Sequence, residues 1–153
     1  MRLFFIILIF TSITYANAQP INTDVLIIGG GTAGVAAGIQ CARQKVKTIL
    51  VEPTTWLGGM LTAAGVSATD GNHNLPSGLW EEFRQALYKH YNTKNLATGW
   101  VSNTLFEPHV GDSIFKAFCK SEEKYLSVFF KNQLLKIIKE KNKIVGATFI
   151  NED

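Results

Sequence analysis

Cysteine and histidine are scarce, with two and three copies in 153 residues. Cys41 and Cys119 have no C-x-x-C or metal-type spacing, and His73, His90 and His109 share no ligand pattern. The sequence therefore encodes neither a zinc site nor a dithiol redox motif. Two lone cysteines on separate helices most often behave as buried apolar side chains, and that reading is favoured here. No G-x-S-x-G or comparable nucleophile motif occurs, and there is no internal repeat or low-complexity tract. Charge is also sparse. Asp, Glu, Lys and Arg make up 18% of the residues and the net charge is +3, too little to argue for nucleic acid. The lysines of the last forty residues alternate with Glu122, Glu123 and Glu140, as on a solvated helix and hairpin surface. No apolar run approaches the roughly 20 residues that span a bilayer. What remains is a hydrophobic fraction of 46%, enough for one globular core.

Part of that apolar material sits at the N-terminus. Residues 1–18 have the pattern of a secretory signal peptide: Arg2, the apolar run Leu3–Phe10, and the small-x-small site Ala16-Asn17-Ala18 before Gln19. This reading is preferred to a membrane anchor or a buried strand. It predicts export, periplasmic or secreted, with cleavage between Ala18 and Gln19 and no stable membrane insertion afterwards. No twin arginine is present. Loss of residues 1–18 removes only Arg2 among the charged groups, so the net charge falls from +3 to +2.

The fold signal begins at Asp24. Val25-Leu-Ile-Ile28 is a continuous apolar run ending in glycines, as expected of a central parallel strand buried on both faces. A helix is predicted over Thr32–Gln44, where Val35, Ile39 and Ala42 recur at helical spacing. Lys47–Glu52 reads as a second buried strand, giving a βαβ unit of about 30 residues. Pro53–Pro76 is read as an ordered loop, and residues 92–106 carry no clear pattern. Further helices are predicted from Leu79 to Tyr91 and from Pro108 to about Lys120. A third strand is expected at Tyr125–Phe130, and a hairpin at Gln133–Ile138 and Ile144–Ile150 about Asn142. Gly111, inside the third helix, costs roughly 1 kcal/mol against alanine, and nothing in the sequence accounts for it. The expected fold is α/β, a Rossmann-like parallel sheet with an added β-hairpin, incomplete at its C-terminus because the chain stops at Asp153 just after a strand.

Gly29-Gly30-Gly31-Thr32-Ala33-Gly34 contains G-x-G-x-x-G between an apolar strand and a helix, the context in which the motif binds dinucleotides. Gly29 permits the tight turn, Gly31 lets the pyrophosphate approach the backbone, and Gly34 lets helix and strand pack closely. The helix N-terminus, with Thr32 and Ala33 in its first turn, would hold the phosphates. A side chain at Gly31 is expected both to occupy the phosphate position and to strain the turn. Glu52 ends the second strand roughly 20 positions on, where an acidic residue accepts hydrogen bonds from a ribose diol.

The strand–glycine–helix run, then Ile49-Leu-Val-Glu-Pro53, then Trp56-Leu57-Gly58-Gly59-Met60-Leu61-Thr62 resemble the FAD-dependent oxidoreductases of the glutathione-reductase-like fold. The resemblance covers essentially residues 24–153, which would be the N-terminal part of an FAD-binding domain. It implies FAD as cofactor, with Gly58, Gly59 and Met60 approaching the flavin and Leu134 near the adenine. It also implies redox chemistry on a small-molecule substrate whose residues lie elsewhere. A NAD-binding dehydrogenase domain would share Gly29–Gly34 and Glu52, and an inactive fragment of a flavoenzyme is a further alternative. No catalytic residue is assigned. Asp70, Asn72 and His73 could face substrate, with His73 as acid or base, although exposed turn chemistry is the commoner origin of such a cluster.

Overall fold

The computed structural model describes residues 20–71 and 73–151. The leader over 1–18, its cleavage point before Gln19, Asn72 and the terminal Asp153 lie outside them. In chain order the elements are β1 (Val25–Ile28), α1 (Thr32–Arg43), β2 (Thr48–Val51), a 3-10 turn at Gly59–Leu61, β3 (Ala68–Thr69), α2 (Gly78–Tyr91), β4 (Ala97–Gly99), β5 (Ser102–Leu105), α3 (Pro108–Ser121), β6 (Leu126–Phe129), β7 (Asn132–Glu140) and β8 (Lys143–Asn151).

β1, β2 and β6 form an all-parallel sheet in the order β1-β2-β6. Parallel strands need crossovers, which α1 supplies between β1 and β2. The thin side of α1 lets it lie close: a Cβ on Gly38 would come 3.2 Å from the Leu126 side chain. Val35, Ile39, Leu50, Leu57, Leu87 and Phe83 are all buried in one core. There Phe83 stacks on Phe115 at 4.7 Å and meets Phe106 edge-on at 5.3 Å, geometries that aromatic pairs favour. At the rim, Arg43 of α1 holds both carboxylate oxygens of Glu82 on α2 at 2.8 and 2.6 Å, and reaches Glu122 at the end of α3 at 3.2 Å. Hydrogen bonding to Arg43 keeps the Glu82 carboxyl below its ordinary range.

Three features depart from the sequence expectations. All four residues of β2 are buried, but among the described residues β1 has a bonded strand on one side only, with Val25, Leu26 and Ile27 half-buried and Ile28 44% exposed. An apolar run specifies a strand that favours cover, not which neighbours supply it. The second departure is a small antiparallel sheet, β3-β5-β4, which joins the segment read as a loop to the stretch that showed no pattern. Strands of two to four residues are too short to show a period. The third is Gly111. A Cβ there would come 2.7 Å from the Phe106 ring and 3.1 Å from the Thr62 methyl. The helix gives up intrinsic preference to let a core ring and a loop lie against it.

α3 opens with Pro108 at its first position, where the missing N–H costs nothing. The hairpin forms as expected, slightly longer at each end, with bulges at Leu134/Lys136 and Ile138/Lys139. Cys119 is buried and Cys41 half-buried, both as free thiols. Burial pushes the Cys119 thiol up to about 11.

Candidate cofactor site

The end of β1 and the start of α1 are set by glycines with different duties. Gly29 has φ +103°, a left-handed conformation that favours glycine, and its N–H donates to the Val51 carbonyl at 2.8 Å. A Cβ on Gly34 would lie 2.0 Å from the Gly29 carbonyl oxygen, so strand and helix can meet only here without a side chain. Gly30 is closed in as well, since a Cβ would fall 2.6 Å from Leu57 Cδ2 and 3.1 Å from Glu52 Oε2.

Gly31 is the exception. As at Gly29, a Cβ there would meet no protein atom within 4 Å, but Gly31 lacks the positive φ that ties Gly29 to glycine. Its φ of −63° and ψ of 174° suit any residue, which corrects the expectation that a side chain would strain the turn. The protein itself leaves the Gly31 position free. Directly beside it, α1 begins with no side-chain cap and no acidic residue in its first turn, and Thr32 and Ala33 are exposed. Uncapped N–H groups together with the helix dipole make a site for an anion. An open cradle beside unfilled donors fits a pyrophosphate.

Glu52 is 8% exposed. Its Oε2 accepts the Gly30 N–H at 2.7 Å, and its Oε1 accepts the Thr54 N–H at 2.8 Å and hydroxyl at 2.7 Å. A carboxylate offers about four acceptor sites, so protein donors use most of them. Glu52 thus joins β2 to the glycine turn. The backbone beyond continues the link: the Lys131 N–H donates to the Thr54 carbonyl and the Asn132 N–H to the Glu52 carbonyl, each at 3.2 Å. Leu134, expected beside the adenine, lies two residues further along β7, opposite Phe149 and 39% exposed. The backbone bonds from this part of the chain to the Glu52 corner come from residues 131 and 132.

The second glycine segment lies against the first. The Gly58 N–H donates to the Gly30 carbonyl at 2.8 Å, and Gly58 pairs with Gly31 in a parallel bridge. Gly58 has φ +107° and a Cβ would strike the Phe115 ring at 2.6 Å, while a Cβ on Gly59 would reach Gly31 Cα at 3.0 Å. Leu57 is fully buried; its N–H donates to Asp112 Oδ1 at 2.8 Å, and its carbonyl accepts the Thr62 hydroxyl at 2.6 Å. Met60 stands 68% exposed at the outer end. Gly29, Gly31, Gly34, Glu52, Gly58 and Gly59 therefore converge, flanked by Thr32, Ala33 and Met60.

Sequence reasoning missed Thr54, Asp112 and Phe115. A threonine two residues after an acidic strand end is a cue for Thr54, since the motif Glu-x-Thr allows an i+2 turn. The others come from distant segments. Asp70 and His73 belong elsewhere: Asp70 is exposed, and the His73 ring lies 3.5 Å from Asn103 beside β5, its carbonyl accepting Arg84 of α2.

A family model described as FAD dependent oxidoreductase matches residues 24–153. The chain belongs to that family. Its cofactor is FAD, and the NAD-only alternative falls away. Mitochondrial dihydrolipoyl dehydrogenase from Bos taurus is 44% identical over 52 residues, covering 34% of this chain and 10% of that protein. Among solved structures, a triple mutant of the flavin-dependent brominase Bmp2 aligns with a TM-score of 0.58 at 19% identity, over 86% of this chain and 35% of the other. A geranylgeranyl bacteriochlorophyll reductase-like protein from Thermoplasma acidophilum gives 0.53 at 17% identity, over 85% and 35%. At such identities the structural likeness speaks for the fold. The segment shared with the dihydrolipoyl dehydrogenases is about a tenth of their length.

Proposed function

We propose that this chain is the nucleotide-binding portion of an exported flavin-dependent oxidoreductase acting on a small-molecule substrate. The observation that carries the site assignment is the contrast at the first turn. Gly30 and Gly34 are closed in by protein atoms and Gly29 is held to glycine by its φ of +103°, whereas Gly31 is under neither constraint. A glycine kept free of its own protein suits contact with something else. In this reading the pyrophosphate lies over Gly31 and the first turn of α1, the ribose lies toward Glu52, and the flavin extends past Gly58–Met60. When bound, the flavin supplies hydride or electron transfer, and the protein binds and orients it. Among the described residues, no helix is long and apolar enough to cross a membrane, and the pattern over residues 1–18 supports export.

The test is Gly31→Val in the full-length protein. The parent should purify yellow and release FAD on denaturation. Because no protein atom opposes a side chain at this position, the variant should keep the parent's circular dichroism and melting point. Its FAD affinity should fall at least 100-fold. A folded variant that binds FAD like the parent would refute the site. For export, mass spectrometry of the secreted or periplasmic protein should find Gln19 at the N-terminus, and an intact Met1 in a membrane fraction would rule the leader out.

A further inference from the structure

We propose that Asp112 is a positioning residue of the flavin site, fixing the Leu57–Thr62 segment at the spacing from Gly30 and Gly31 that the cofactor requires. The proposal rests on the reading of Gly58–Met60 as flavin-facing. Three successive features of α3 address that segment. Gly111 makes room for the Thr62 methyl, Asp112 takes the Leu57 N–H, and the Phe115 ring lies where any Gly58 side chain would go. Asp112 provides the one polar bond among them. It is 7% exposed, and its second oxygen accepts Lys116 Nζ at 2.7 Å.

A carboxylate in that position is costly unless its acceptors are filled. The Leu57 N–H and the Lys116 ammonium give each oxygen a donor, and the carboxylate's charge makes the bond to Leu57 stronger than one between neutral groups. Little slack exists on the far side. The Gly58 N–H is already bonded to the Gly30 carbonyl, and Gly59 sits so close to Gly31 that an added Cβ would come within 3.0 Å. A shift of Leu57 toward or away from α3 is therefore passed directly to the contact between the two glycine segments. The distance between them sets the width of the cofactor cradle.

The experiment uses the full-length protein, titrated as apoprotein with FAD. Affinity, the visible circular dichroism of the bound flavin and hydrogen exchange at the Leu57 amide are read together. Asp112→Asn keeps an acceptor for Leu57, and the half-exposed Lys116 can swing aside, so its affinity should stay within about threefold of the parent. Asp112→Leu removes the acceptor. Affinity should drop at least tenfold, the flavin dichroism should change at saturation, and the Leu57 amide should lose protection. If the leucine variant does not fold, Asp112→Ser, too short to reach Leu57, should give the same loss. Leucine or serine variants with parental affinity and dichroism would overturn the proposal. So would an asparagine variant as impaired as leucine, since that would mark a dependence on charge or fold alone. A parent that takes up no FAD would overturn the site reading itself, and the Leu57 exchange data would then show separately whether the Asp112 bond exists.

Discussion

β2 and the β7–β8 hairpin are built from similar material and meet different fates. Thr48-Ile-Leu-Val51 is buried at every residue, while Leu134, Leu135, Ile138, Ile144, Val145 and Ile150 are all more than a third exposed and no residue of either hairpin strand is buried. β2 has a bonded strand on each side and α1 packed across it. Among the described residues, the hairpin strands are paired with each other alone. Backbone pairing suffices to define a strand, but burial needs a second layer. An isolated two-stranded ribbon is marginal by itself. Here its base is secured through residues 131 and 132 to the Glu52 corner.

Variants can test how far that contrast extends. Leu50→Ala opens a cavity where every side is packed, and should cost about 3 kcal/mol, within the roughly 2–5 kcal/mol range for such truncations. Denaturant unfolding followed by circular dichroism measures it. Glu52→Gln should come next. Whichever way the amide turns, its NH2 group faces a donor, either the Gly30 N–H or the Thr54 pair. The apoprotein should therefore lose about 1–3 kcal/mol, the usual penalty for a buried donor without an acceptor, and FAD affinity should fall by one to two orders of magnitude. An unchanged apoprotein melting point with weakened binding would mean that Glu52 serves the ribose alone. The smallest effect is expected at Leu135→Ser, 59% exposed on β7, where the change should stay within about 0.5 kcal/mol. A loss comparable to Leu50→Ala would show that the hairpin face is covered in the protein as it exists in solution.

The βαβ unit and its phosphate turn were legible because they are local. Strand, glycines and helix are contiguous, and each glycine's duty follows from the turn it sits in. Even so, the strain expected of a side chain at Gly31 is absent. Gly34 is excluded from having a side chain by the Gly29 carbonyl, whereas Gly31 has an ordinary backbone conformation and open surroundings. Only coordinates separate those two cases. Asp112 gave no signal, because its partner is 55 positions away in the chain. Gly111 looked like a flaw in a helix until Phe106 and Thr62 were found against it. β1, expected to be central, has a strand on one side only among the described residues, and its apolar content does not name its neighbours.

That one-sided pairing also makes β1 a built-in reporter. The N–H groups of Val25 and Gly29 point toward β2, where they donate to the Lys47 and Val51 carbonyls. Successive residues of a strand alternate direction, so the amides of Leu26 and Ile28 point the other way. In the chain as described, hydrogen exchange along β1 should rise and fall with a period of two residues. Any strand that comes to lie alongside would erase that alternation, slowing Leu26 and Ile28 while leaving Val25 and Gly29 as they were.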